Sequence, residues 1–187
     1  MKIVLCTTPI RPVPTDYPPF GSMALMQSLR RQAGYDPYFY HIDGLRPSFD
    51  DVIRFFKAYQ PDLIGVSAVV STAYAYTKTL CRTLKQGLPH TPIIVGGNLA
   101  ASAELLLRRC GVDLCGIGEG EHTIVRVARS LQATGGRMRH EALREIKNLA
   151  FLDERGDMVF TGYDLPIPAE EFLAPDYAIL EDNGLLN

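Results

Sequence analysis

The sequence has 187 residues, 47% hydrophobic and 21% charged, with a formal net charge of −2. That length holds one sizeable α/β domain with an appendage, and the composition is ordinary for a globular protein. There is no basic field and no long Lys/Arg run to track phosphates, which argues against nucleic-acid binding. Cys6, Cys81, Cys110 and Cys115 form neither a C-x-x-C pair nor a disulfide framework, so reduced and buried thiols are expected. Residues 1–5 are too short for a signal peptide, and the longest weakly polar run, residues 63–76, is shorter than a membrane span and broken by Ser and Thr. A cytoplasmic protein is expected.

In chain order, residues 2–5 read as a buried first strand. Residues 6–20 carry Pro9, Pro12, Pro14, Pro18 and Pro19. Proline fixes φ and removes donors, so this is an irregular loop, long for a strand-to-helix connection and placed where such loops often bind ligands. Residues 21–33 predict a helix with Met23, Leu25, Met26 and Leu29 inward and Gly34 as its C-cap. A second strand follows at 38–42, edge-like because of Pro37. Ser48 caps the next helix, with Asp50 and Asp51 in its first turn and Val52, Phe55, Phe56 and Tyr59 as its buried stripe. Further strands are expected at 63–68, 93–95 and 112–117, with helices at 72–86, 101–110 and 119–133. Residues 148–152 and 158–161 predict a hairpin turning at Gly156 and standing apart from the sheet, with a linker from 165 onward.

Residues 61–122 organise this pattern. Short apolar runs without alternation suit strands buried on both faces, and the helices between them make a parallel sheet. Ligands bind beyond the carboxyl ends of such strands, here Ser67 to Thr72, Gly96 to Asn98 and Gly116 to Glu121. The usual nucleotide signatures fail there. No G-x-G-x-x-G follows the first strand, no G-K-[ST] occurs, and Thr7-Thr8 and Ser67 stand where a phospho-acceptor domain needs acids. Gly96-Gly97 admits either a close-lying flat ligand or a tight turn, and the nearby hydroxyls either bind or cap. At a helix start, His122 reads as solvated, and Glu119 and Glu121 are accounted for by the helix dipole. His41 reads as packing or capping.

The ordered segments PPFGSMALMQSLRRQAGY, HIDG, PDLIGVSAVVST, PIIVGGNLA, VDLCGIGEGEHT and DLPIPAEEFL resemble the N-terminal half of cobalamin-binding radical SAM proteins. That family includes the anaerobic oxidative cyclase of magnesium-protoporphyrin monomethyl ester and many methyltransferases. The resemblance implies a flavodoxin-like, doubly wound five-stranded parallel sheet, order 2-1-3-4-5, with a small C-terminal hairpin and linker. It implies cobalamin over the strand ends, with its nucleotide tail entering toward the sheet. By position the binding residues would be Thr7, Thr8, Pro9, Ser67, Val69, Ser71, Thr72, Gly96, Gly97, Asn98, Gly118, Glu119, Gly120 and Glu121. Gly96 and Gly97 are expected to act through absent side chains rather than turn chemistry alone.

Two departures matter. Cobalamin domains of the methionine synthase type carry D-x-H-x-x-G, whose His ligates cobalt; here Asp16 to Gly21 keeps the spacing with Pro18 at the His position. Proline offers no lone pair, so no His ligand comes from this loop. There is also no C-x-x-x-C-x-x-C to hold a [4Fe–4S] cluster. The resemblance therefore implies that S-adenosylmethionine and the cluster belong to a C-terminal radical SAM domain of the same polypeptide, and that this chain alone is not catalytic. Residues 1–140 would form the cobalamin domain and 141–187 the hairpin and linker toward that barrel. The alternatives are a cofactor-free flavodoxin-like interaction or regulatory domain and, third, a nucleotide-sugar or flavin-binding half-domain of a transferase.

Overall fold

The expected apolar runs form the strands β1 (Ile3–Thr7), β2 (Tyr38–Tyr40), β3 (Leu63–Ser67), β4 (Ile93–Gly96) and β5 (Leu114–Gly116). The computed structural model describes residues 1–172 and 174–182. All five strands are parallel, in the order 2-1-3-4-5, with β1 paired to β3 from Ile3↔Leu63 to Thr7↔Ser67. The crossovers carry the helices α1 (Phe20–Ala33), α2 (Ile42–Leu45), α3 (Phe49–Tyr59), α4 (Tyr74–Gly87) and α5 (Ala103–Arg109). After β5 come α6 (Glu121–Ala133) and the short α7 (His140–Arg144).

Local chemistry explains the boundaries. The Ser48 side chain accepts the Asp51 amide and caps α3, and Gly34 closes α1 in the left-handed conformation. β2 is shorter than expected because the chain turns into α2 after His41, whose ring lies where a Cβ on Gly44 would stand. α4 and α5 are each preceded by a 3-10 turn, Ser71–Ala73 and Asn98–Ser102, at the ends of the two strands that lead into them.

The sheet separates two cores. One holds Val4, Cys6, Ile64, Val66, Ile93, Val95 and Cys115 against α3, α4 and α5. The other holds Ile3, Leu5, Leu63, Ile94 and Leu114 against α1 and α6. Each fully buried Leu, Ile or Phe contributes roughly 1.5–3 kcal/mol, so both layers carry the fold.

The C-terminal part corrects two expectations. The hairpin, β6 (Leu149–Leu152) and β7 (Met158–Phe160), does not stand apart: β6 pairs antiparallel with β5, giving one sheet ordered 2-1-3-4-5-6-7. Leu149, Ala150 and Phe151 are buried on both faces, so they need a sheet neighbour, and β5 needs its open edge covered. The linker expectation fails in part as well. In α8 (Ala178–Asp182), Ile179 and Leu180 are buried in the α1/α6 core, and Gln27 Nε2 donates to the Ala174 carbonyl. The remainder of the expected linker, residues 183–187, lies outside the described residues. Among the described residues no helix is long and apolar enough to cross a membrane.

Candidate functional site: a glycine-floored slot between the sheet and two helices

Side chains alternate between the faces of a strand, so residues two apart share a face. On the α1/α6 face one row reads Leu5, Gly65, Ile94 and Leu114. Two residues nearer the strand ends, the next row is Thr7, Ser67, Gly96 and Gly116. The row at the carboxyl edge is therefore nearly without side-chain bulk. Above it lie Gly21, Ser22 and Leu25 of α1 and Thr123 and Ile124 of α6, which do not reach down to fill the space. A cavity of about 870 Å³ results, mostly apolar, open at the carboxyl ends of β3, β4 and β5.

The two adjacent glycines of β4 play different parts, which corrects the joint expectation for them. A Cβ on Gly96 would meet nothing within 4 Å, and its backbone is not in the left-handed region. Neither packing nor backbone geometry requires glycine there. Gly97 has φ +82, and a Cβ would stand 2.7 Å from the Ala68 carbonyl oxygen. Gly97 is thus explained by the turn itself. Gly65 resembles neither: the Leu5 Cδ2 atom leans to 2.5 Å from where its Cβ would be.

The other expected residues fall into two groups. Ser67, Val69, Gly96, Gly97, Asn98, Gly118, Glu119, Gly120 and Glu121 line the cavity. Thr7, Thr8, Pro9, Ser71 and Thr72 do not. Thr7 Oγ1 accepts the Asp43 amide at 3.1 Å and lies 2.8 Å from His41 Nδ1. Thr8 donates from both its amide and its hydroxyl to the Ser67 carbonyl, each at 3.1 Å. Thr72 Oγ1 donates to the Ile10 carbonyl at 3.3 Å. These hydroxyls tie the proline-rich loop to the sheet edge rather than face a guest. The same loop is clasped by Arg46, which donates to the Arg11 and Val13 carbonyls and pairs with Asp43 at 2.6 Å.

Sequence reasoning missed Leu5, Gly21, Ser22, Leu25, Gly65, Ile94, Thr123 and Ile124, all cavity-lining. The readable signal was an in-strand glycine, Gly65, and the small pair Gly21-Ser22 opening a helix. At the rim, Asn148 is a buried hub: its Nδ2 donates to the Glu119 carbonyl at 3.0 Å, and its Oδ1 accepts the Asp164 amide at 2.9 Å. The Glu119 carboxylate accepts the Ile167 amide at 2.7 Å.

The titratable groups add little reactivity. Burial pushes the Cys6 and Cys115 thiols up to about 12. Burial also lowers His41, against the Asp43 charge, which suits a neutral ring accepting the Thr7 hydroxyl at Nδ1. His122 is paired with Glu171 at 3.2 Å, and no histidine is among the described residues that line the cavity.

A family model described as the B12-binding domain matches residues 7–128, which run from the last residue of β1 through most of α6. This chain belongs to the B12-binding domain family. The domain is 31% identical over 141 residues to an uncharacterised methyltransferase of Pyrococcus horikoshii, covering 70% of this chain and 29% of that protein. Among solved structures it is similar to the radical S-adenosylmethionine methyltransferase TsrM of Kitasatospora setae with cobalamin and a [4Fe–4S] cluster bound. There the TM-score is 0.68 at 17% identity, covering 86% of this chain and 30% of that one. It is also similar to the cobalamin-dependent S-adenosylmethionine radical enzyme OxsB with aqua-cobalamin bound, at TM-score 0.67 and 18% identity, covering 88% of this chain and 22% of that one. At such identities the likeness is one of fold, and this chain spans less than a third of each relative's length.

The slot suits the family's cofactor. Its floor has glycine where the backbone does not demand it, Gly96 above all, and its walls are apolar with a few hydroxyls. Such a cradle accepts a flat organic group without a charged partner beneath it.

Proposed function

We propose that this B12-binding domain holds cobalamin for a radical SAM catalytic domain of the same polypeptide, in the cytoplasm. The observation that carries the reading is the cleared floor: Gly96 sits under open space that neither its backbone nor its neighbours explain. Ser67, Gly96, Gly116 and the α1/α6 wall would hold the cofactor, with Val69, Asn98 and Gly118 to Glu121 at the rim. When bound, cobalamin supplies cobalt chemistry, either methyl transfer or one-electron steps, to the catalytic partner. The chain's own part is to bind, to orient and to keep water from the buried side of the group. S-adenosylmethionine and the [4Fe–4S] cluster would reside in the partner domain, whose reaction is methyl transfer or oxidative ring formation. The size of the relatives supports a partner within one polypeptide, because the chain spans 30% or less of each of them. A cofactor-free interaction module leaves the cleared floor without a purpose.

The test is reconstitution of the full chain with hydroxocobalamin, desalting and an absorbance spectrum. Near-stoichiometric retention is expected. A protein that folds and elutes without corrinoid overturns the reading.

A further inference from the structure

We propose that β7, the outer strand of the sheet, is an interface where a second copy of this chain adds its own β7 antiparallel, about a twofold axis at Val159. This goes beyond the cobalamin reading and does not depend on it. β7 is last in the order 2-1-3-4-5-6-7, so one of its sides has no strand beside it. In an antiparallel pair each residue sends its amide and carbonyl to the same side, and successive residues alternate sides. On β7 the odd-numbered residues face β6. The Thr161 amide donates to the Leu149 carbonyl, and the Asp157 carbonyl accepts the Asp153 amide. Met158 and Phe160 therefore turn their backbone groups outward, and their side chains are 43% and 38% exposed. Such an edge is a template for another strand, and neither a charge nor a proline stands within Met158–Phe160 to block it.

Hydrogen bonds already committed decide the register. Gly156 donates its amide to the Asp153 carbonyl, and its own carbonyl accepts Arg108 at 3.0 Å. The Gly162 carbonyl accepts the Asn148 amide. Outward bonding is thus confined to Met158 and Phe160. One antiparallel register uses both, with Met158 facing the partner's Phe160 and Phe160 facing the partner's Met158. A twofold rotation leaves that register unchanged, as identical partners require.

Charge points to the same occupant. The register sets Asp157 opposite the partner's Thr161, and the Thr161 carbonyl accepts the Lys147 ammonium at 2.9 Å. Asp157 and Lys147 are both exposed, and neither makes an ion pair among the described residues. Each copy thus offers an unpaired acid at one end of the strand and an unpaired base at the other, and opposite charges meet twice. Met158 and Phe160 also line a groove of about 720 Å³ between α5 and the hairpin, with Leu105, Ala150 and Tyr163. In the pair each Phe160 ring meets a Met158 side chain, and the two grooves join. The twofold reverses strand direction, so the two glycine-floored cavities open at opposite edges and neither is covered.

The experiment is sedimentation velocity of the 187-residue chain over a concentration series. The strand is short, so a Kd on the order of 10–100 µM is expected. Phe160→Pro removes an outward donor and none of the bonds to β6, and is expected to weaken the dimer at least about 10-fold. Asp157→Lys and Lys147→Glu are each expected to weaken it roughly 10-fold, and the two together to restore the native value. A native chain that stays monomeric up to about 1 mM overturns the proposal. A dimer that none of these variants weakens lies on another surface and overturns it as well. So does a double variant as weak as the single ones. If circular dichroism shows that Phe160→Pro does not fold, the charge exchange decides alone.

Discussion

Val95 and Gly96 are neighbours on β4, yet they serve opposite faces built on different terms. Toward α3, α4 and α5 the strand ends carry Cys6, Val66, Val95 and Cys115, and the helices close down on them to leave a filled layer. Toward α1 and α6 the matching ends carry Ser67, Gly96 and Gly116, and the helices stand off to leave about 870 Å³. The contrast shows that a site can be made by deletion. Strand pairing holds the backbone in place whatever the side chains, so one face can be emptied while the other pins the sheet. The emptied face compensates by drawing apolar residues from late in the chain: Leu143, Ile146, Leu149, Phe151, Ile179 and Leu180 all join its core, whereas the filled face takes Ala150.

Truncation after residue 140 tests that dependence and has the largest expected effect. It removes those six residues, and at roughly 1.5–3 kcal/mol each the loss matches or exceeds the whole stability of an ordinary domain, about 5–15 kcal/mol. An unfolded or aggregated product is expected by circular dichroism. A cooperatively melting fragment 1–140 would restore the boundary read from the sequence.

The two faces should then respond oppositely to volume. Ile64→Ala, on the filled face, is expected to cost about 2–5 kcal/mol in urea unfolding while the refolded protein keeps its corrinoid affinity. Gly96→Val, on the emptied face, is expected to leave the melting temperature unchanged or raised, since valine favours strands. It should weaken cobalamin roughly 10- to 100-fold by overfilling the slot. A clear loss of stability in Gly96→Val would mean the space is not free. Gly97→Ala separates turn from slot: φ +82 and the Ala68 carbonyl at 2.7 Å predict a loss of about 1–3 kcal/mol in stability. Unchanged stability there would return Gly97 to the ligand.

The smallest effects concern His41, behind the slot. Burial lowers its pKa below the ordinary 6.5, so the folded state favours the neutral ring. Its contribution is fully present above pH 6.5 and is lost as pH falls through the lowered value. The melting temperature should therefore drop on acidification between pH 6.5 and that lowered value, and His41→Gln should flatten this part of the profile. An identical acid slope in the variant would refute the assignment. Because Pro18 stands in the loop and no histidine is among the described lining residues, bound cobalt(II) should show no triplet nitrogen splitting in electron paramagnetic resonance. Splitting would mean that His41, His122 or the cofactor's own base reaches the metal.

The order of the parallel strands was legible because fully buried strands read as unbroken apolar runs, and Ser48 and Gly34 mark helix ends by local bonds alone. The resemblance in ordered segments led to the B12-binding domain, and nine of the expected residues line the slot, from Ser67 to Glu121. Other features depended on partners distant in sequence. Whether Leu149 to Leu152 stood apart or joined the sheet turned on the open edge of β5, which no local pattern encodes. The adjacent glycines of β4 look alike in sequence; only the Ala68 carbonyl on another loop assigns one to the turn, and only the distance of α1 and α6 leaves the other facing a void. Composition and periodicity report what a residue is and which way it faces. Empty space is made by several segments at once, and it exists only after they have packed.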